Sequence, residues 1–138
     1  MSTIMIVGAT RGIGLELTKQ YANEGNQVIA CARDTANASL LNEVASGSEN
    51  IKIEQLDIAD AGSIESASSR IGEEAIDSVI IVAGWVGGMP DNQTIDNIDI
   101  DEWHNTLNIN TIGPLLVAKA FKSNLAASGN GNLMILSS

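Results

Sequence analysis

Apolar and polar positions switch between two periods along this chain. Ile4 to Val7 is a short apolar run ending at Gly8. From Gly12 to Glu24 the spacing is helical, with Ile13, Leu17 and Tyr21 on one face and Gly25 placed for a left-handed C-terminal cap. A second apolar run covers Val28 to Ala32. Asp34 is placed to cap a helix carrying Leu40, Leu41 and Val44. Ile51 and Ile53 are interleaved with charged residues, which predicts a strand ending at Leu56-Asp57. Asp60 or Ser63 opens another helix, with Ile64, Ala67 and Ile71 on its face. Val79 to Ala83 is wholly apolar, the pattern of a strand covered on both sides. Gly84 to Ile98 holds Gly, Pro, Asp and Asn and reads as a long loop. Asp99 to Ala127 is helical in spacing, and Leu133 to Leu136 is a fifth strand.

Five β units with helices between them predict an α/β fold: a parallel sheet with right-handed crossovers, covered on both faces. At 138 residues the chain has room for one domain, residues 1–138, and no repeat or low-complexity tract divides it. Apolar residues make up 44% and charged residues 17%, which excludes a disordered chain and a coiled coil. Lys and Arg number 7 against 17 Asp and Glu, a net charge of -10. Nucleic acid and anionic membrane surfaces, which need a positive field, are therefore not expected partners. A small anionic ligand needs only a local positive spot and stays open. The single Cys31 forms no intramolecular disulfide, no apolar run has the length of a membrane span, and Met1 to Ile4 carries no basic region of a secretory signal. A cytoplasmic location is expected.

The first strand and first helix are joined by Gly8-Ala9-Thr10-Arg11-Gly12-Ile13-Gly14. A pyrophosphate rests on a helix N-terminus only where the backbone comes close and no side chain blocks it. Gly8 permits the sharp turn out of the strand, Gly12 the close approach, and Gly14 the packing of helix on sheet. Nucleotide binding is the expected use of this loop, in the context that the motif requires.

The segment Ile6 to Gly14 resembles the cofactor loop of the short-chain dehydrogenases/reductases, whose fold is a doubly wound parallel sheet of the Rossmann type. Four further segments resemble that family in order. Leu56-Asp57-Ile58 is similar to its strand end with an Asp facing the adenine. Ala83-Gly84 is similar to the end of its Asn-Asn-Ala-Gly motif. Asn108 to Pro114 resembles the helix segment carrying its structural-catalytic Asn, which falls on Asn110. Leu136-Ser137-Ser138 resembles the strand end of its catalytic Ser, best matched by Ser138. The finer resemblance, through Arg11 to Glu16 and Glu54 to Asp57, is to the sniffer-like carbonyl reductases. The resemblance implies cofactor contacts by Gly8, Thr10, Arg11, Gly12, Ile13, Gly14, Asp57, Ile58, Ala83 and Gly84, and catalytic roles for Ser138 and Asn110. Two departures stand out. Ile81-Val82 replaces the Asn-Asn pair, and the chain stops at Ser138 before the family's Tyr-x-x-x-Lys helix, so a truncation after the fifth strand is expected.

NAD-users place a carboxylate about 20 residues beyond the glycine motif, for the ribose 2′-hydroxyl. Ala32 stands there and Arg33 follows. A guanidinium pairs with a 2′-phosphate that a carboxylate would repel, so NADP(H) is favoured over NAD(H). Arg11 belongs near the same spot. Asp34 complicates the reading, because its carboxylate could swing in beside Arg33.

Pro114 lies four residues after Asn110 and has no N–H, so the carbonyl of Asn110 loses its helical partner and a kink is expected. The resemblance implies that this position anchors a water in a proton relay. The long helix is apolar at Ile100, Trp103, Leu107, Leu115, Ala118, Phe121 and Leu125, and again at Ile109, Ile112, Leu116 and Ala120. Two apolar faces predict burial on two sides, one by the sheet and one by a second subunit, as the family's dimers imply. His104 is read as a surface residue. Asp91, Asp96, Asp99 and Asp101 are read as capping and solubilising groups, without the spacing of a calcium loop. Trp85 and Met89 either line the pocket or pack on chain beyond Ser138. No metal site is expected.

Two functions remain open. One is an NADP(H)-dependent oxidoreductase moving a hydride to or from a carbonyl or alcohol. The other is a non-catalytic dinucleotide-binding or interaction domain, since Tyr21, the only tyrosine, lies on the first helix.

Overall fold

The computed structural model describes residues 1–137, so Ser138 lies outside the described residues. Five strands, β1 (Thr3–Val7), β2 (Gln27–Ala32), β3 (Ile51–Gln55), β4 (Ser78–Ile81) and β5 (Asn132–Ile135), form one sheet in the order β3-β2-β1-β4-β5. Every pairing is parallel. Between them run α1 (Gly12–Asn23), α2 (Ser39–Ser46), α3 (Ala61–Ile71), α4 (Ile100–Leu107) and α5 (Gly113–Ala127). This is the doubly wound α/β fold that the alternation of periods predicts.

β1 shows why its sequence is apolar throughout. Ile4 and Ile6 join a core with Leu15 and Ala22 of α1 and Leu41 of α2. Met5 and Val7 join a second core with Ile64, Ala67 and Ile71 of α3 and Val117 and Phe121 of α5. Period-two alternation therefore sends neighbouring residues into opposite cores, and neither face can be polar.

Helix ends follow local chemistry. Asp60 caps α3 by accepting from the Gly62 and Ser63 amides at 2.9 and 3.2 Å, and Asp99 caps α4 in the same way from Asp101 and Glu102. Gly25 ends the α1 turn at φ +85°. Asp34 does not cap α2. Its Oδ1 accepts from the Ala36 and Asn37 amides and its Oδ2 from the Asn37 side chain, so it closes a turn four residues earlier, and α2 begins with Ala38 as an N-cap that has no side-chain bond. Asparagine three residues on captures the carboxylate before the helix can.

The long helix is also corrected in detail. A five-residue π-helical segment, Asn108–Ile112, joins α4 to α5, and the Gly113 amide donates to the Asn108 carbonyl five residues back. Pro114 stands in the first turn of α5, directly after the π-helical segment, and brings no N–H to the helix. The lost donor at residue 114 is thus absorbed as a π-bulge. Among the described residues only one face of this helix is covered: Val117 and Phe121 are buried, whereas Ile100, Trp103, Leu107, Ile112 and Leu115 are exposed. No helix among the described residues is long and apolar enough to cross a membrane.

Candidate dinucleotide-binding cleft

The strand order reverses at β1, which has β2 on one side and β4 on the other. Open parallel sheets form their ligand crevice at that switch point, outside the C-terminal strand ends. A cleft of about 830 Å³ opens there, within the usual size of a cofactor or small-molecule site.

Its first wall is the β1–α1 turn. Gly8 has φ +96°, and a Cβ on it would lie 2.7 Å from the Ala83 amide nitrogen at the end of β4. A Cβ on Gly14 would fall 1.9 Å from the Gly8 carbonyl oxygen. These two glycines therefore hold turn, helix and central strand together, and Gly14 itself is buried off the cleft wall. Gly12 differs: its φ is +54°, nothing lies within 4 Å of where its Cβ would be, and it borders the cleft. Arg11, the N-cap of α1, makes no side-chain cap bond, and the first turn holds no acid. The first amides of α1 are thus free for an anion, with the helix dipole behind them. Thr10, Arg11 and Ile13 line this wall. Ile13 does not share the buried face of Leu17 and Tyr21. Side chains tilt toward a helix N-terminus, so a first-turn residue projects over the cleft.

The second wall is the end of β2 and the chain after it. Arg33 is exposed and faces the cleft together with Arg11, which sets the local positive spot in an acidic chain. The third arginine, Arg70, is occupied elsewhere, paired with Glu54 and donating to the Gln55 carbonyl. Asp34 also borders the cleft, but its carboxylate is held by Asn37. Those bonds, the side-chain one foremost, keep its carboxyl below the usual carboxylate range. Asn37 and Ser39 line the same wall. Sequence reading missed both; the spacing Asp34-x-x-Asn37 was the available signal. Cys31 lies in the floor, fully buried, and burial pushes its thiol above the ordinary range.

The third and fourth walls are the β3 and β4 ends. Asp57 accepts from the Ala59 amide through Oδ1 at 2.9 Å, and Ile58 is buried beside it where a Cβ on Gly113 would strike the Ile58 carbonyl at 2.5 Å. Ala83, Gly84 and Trp85 close the far side with Ile109. Met89 is exposed and off the lining. Asn110 is not on the wall. Its side chain is bonded to the Trp85 backbone on both sides, while the Trp85 indole N–H donates to Glu102. Ser138, the remaining expected catalytic residue, lies outside the described residues. The cleft therefore brings together Gly8, Thr10, Arg11, Gly12, Ile13, Arg33, Asp57, Ile58, Ala83 and Gly84.

Known proteins agree with this architecture. A carbonyl reductase from Pseudomonas aeruginosa PAO1 in complex with NADP superposes with a TM-score of 0.90 at 31% identity, over 100% of this chain and 61% of that one. The NADPH-bound carbonyl reductase from chicken fatty liver superposes with a TM-score of 0.78 at 28% identity, over 96% and 52%. An uncharacterized oxidoreductase of Schizosaccharomyces pombe is 32% identical over 136 residues, 96% of this chain and 52% of the relative. The chain thus spans little more than half the length of these proteins. The sequence pattern of the family described as short chain dehydrogenase matches residues 2–138. With its glycine turn, switch-point cleft and sheet order in place, the chain belongs to the short-chain dehydrogenase family.

Proposed function

We propose that residues 1–138 form the cofactor-binding domain of an NADP(H)-dependent short-chain reductase that acts on a carbonyl or alcohol in the cytoplasm. The observation that carries this reading is the arrangement at the β2 end. Arg33 and Arg11 border the cleft, and the neighbouring Asp34 carboxylate is tied to Asn37. A 2′-phosphate would meet two guanidiniums there, whereas a 2′-hydroxyl would meet no free carboxylate from Asp34. The NADP held by the Pseudomonas protein and the NADPH held by the chicken one favour the same choice.

The residues fit such a group. Gly12 and the free amides of α1 would take the pyrophosphate, Asp57 and Ile58 the adenine, and Ala83, Gly84 and Trp85 the nicotinamide half. The bound dinucleotide would supply the hydride. This chain's own share is positioning and exclusion of water. Asn110 fixes the wall by holding Trp85, and its expected place in a proton relay falls to its main chain, since its amide group is already occupied. Ser138 would hydrogen-bond the substrate oxygen.

Titration of the protein with NADPH and NADH tests the cofactor reading. Tighter binding of NADPH is expected, and equal affinities would overturn it. The second reading is a dinucleotide-binding domain without catalysis. Tyr21, the only tyrosine, packs against the α1-side core and is off the cleft wall. NADPH-dependent carbonyl reduction by the protein at its full natural length supports the first reading, and cofactor binding without turnover there supports the second.

A further inference from the structure

Two residues of the cleft wall, Arg33 and Asp57, sit on different strand ends, yet one hydrogen-bonded chain joins them. The Asp57 amide donates to the Ser63 hydroxyl at 2.8 Å. That hydroxyl donates to Gln55 Oε1 at 3.1 Å. Gln55 Nε2 donates to the Arg33 carbonyl oxygen at 3.1 Å. Neither Gln55 nor Ser63 lines the cleft. Both amide atoms of Gln55 are thus used, and each leads to a residue that does.

The surroundings fix Gln55 itself. It is the last residue of β3 and pairs with Ala32, the last residue of β2, while the next amide, Leu56, donates to the Ala32 carbonyl at 3.0 Å. Arg70 of α3 clamps the Gln55 carbonyl at 2.7 Å through Nη2 while its Nε holds the buried Glu54 carboxylate. Ser63 is fixed in the first turn of α3 by the Asp60 cap. Arg33 has no comparable support: it follows the last residue of β2, and its side chain is exposed. Its carbonyl bond to Gln55 is what continues strand-like anchoring past the strand end.

We propose that Gln55 is a specificity-determining positioning residue for the cofactor's 2′-phosphate. It acts through the Arg33 main chain, so that the guanidinium is preorganised before binding. This rests on the assignment of Arg33 to that phosphate. Removing the bond frees the Arg33 backbone, and the ordering must then accompany binding. The loss falls on the ligand that carries the phosphate, because NADH makes no use of Arg33.

The test measures dissociation constants for NADPH and NADH on the wild type, Gln55→Ala and Gln55→Met, with thermal melts of each. Methionine keeps the length and bulk of the side chain without its amide. Expected is a loss of roughly three- to tenfold for NADPH in both variants, the worth of one hydrogen bond, with NADH within about twofold. A wild type that does not prefer NADPH overturns the underlying cofactor reading instead. A wild type that prefers NADPH, with variants that weaken both cofactors equally or neither, overturns the role of Gln55. Should Gln55→Ala fail to fold, Gln55→Met decides alone. Ser63→Ala against Ser63→Thr supplies a second measurement in folded protein. Loss of the hydroxyl releases Gln55 Oε1 as well as the Asp57 amide, so NADPH should weaken more than NADH, with recovery in the threonine variant. Equal weakening of the two cofactors, or none, in Ser63→Ala would overturn the relay through Gln55.

Discussion

Asn110 holds the main chain of Trp85 from both sides: the Trp85 amide donates to Asn110 Oδ1 at 2.8 Å, and Asn110 Nδ2 donates to the Trp85 carbonyl at 2.6 Å. A side chain in the π-helical segment thereby imitates a neighbouring strand just where β4 has ended. Only a carboxamide can do this, because one group must accept and donate in the same plane. Asn110→Asp loses the donor and Asn110→Ala loses both bonds. Each is expected to destabilise the fold, by about 1–2 kcal/mol for alanine, and to loosen the loop from Gly84 onward. Urea unfolding and tryptophan fluorescence read the two effects. Unchanged stability with unchanged Trp85 emission would show that the clamp carries no energy.

Charge reversal at the β2 end gives the cofactor prediction its sharpest form. Arg33→Asp removes a charge-assisted contact with the 2′-phosphate and places a carboxylate where the ribose hydroxyl would lie. NADPH affinity should fall by roughly ten- to a hundredfold and NADH should become the tighter ligand. If NADPH remains preferred in this variant, Arg33 is not the discriminating group.

The glycines of the first turn should separate fold from binding. Gly14→Ala drives a Cβ into the Gly8 carbonyl, and Gly8→Ala drives one toward the Ala83 backbone, so both should cost stability heavily. At Gly12 a Cβ meets open space, so Gly12→Val carries chiefly a backbone strain of about 1–2 kcal/mol for its positive φ. It should fold and fail to bind a dinucleotide. Circular dichroism and cofactor titration measure the two outcomes. Normal binding by Gly12→Val would remove the pyrophosphate from this loop.

The Asp34–Asn37 turn carries a pH signature. Hydrogen bonds from Asn37 depress the Asp34 carboxyl in the folded chain, so the turn's stabilisation is present above the ordinary carboxylate value and is lost as pH falls through the depressed one. Asn37→Ala removes the largest cause, and the Asp34 titration should move up toward the ordinary value. Carbon NMR of the side-chain carboxyl follows it directly. An unmoved titration would assign the depression to another group. The variant should also free the carboxylate beside Arg33 and narrow the preference for NADPH.

What the sequence made legible was decided by local rules. The strands and the Asp60 cap follow from period and capping chemistry, and the glycine turn from the need for close approach. Where two local partners competed, sequence order alone did not choose. Asp34 could serve a helix or a turn, and the Asn37 side chain three residues on decided for the turn. The kink expected at Pro114 became a π-bulge because one extra residue restores pairing around the missing donor. Gln55 and Ser63 stayed hidden for another reason: their partners lie on the chain just after β2 and just after β3, brought near by parallel pairing with no trace in spacing.

Association is expected from the surfaces left uncovered. On the long helix Ile100, Trp103, Leu107 and Leu115 are each at least half exposed, on the face away from Val117 and Phe121. At the sheet edge Leu133, Met134, Ile135 and Leu136 are 37 to 50% exposed, although the matching β4 residues Val79, Ile80 and Ile81 are buried. Apolar surface of this kind favours a second copy, and an unpaired parallel edge offers free main-chain groups as well. The helix residues are the more exposed and include the indole of Trp103, so homo-oligomerisation through residues 99–127 is the expected mode. Light scattering at micromolar concentration should give a mass above 14.4 kDa. Leu107→Glu with Leu115→Glu should return it to the monomer, whereas Ile135→Lys should not. Dissociation by Ile135→Lys alone would move the interface to β5, and a wild-type mass of 14.4 kDa would mean that neither surface joins two chains.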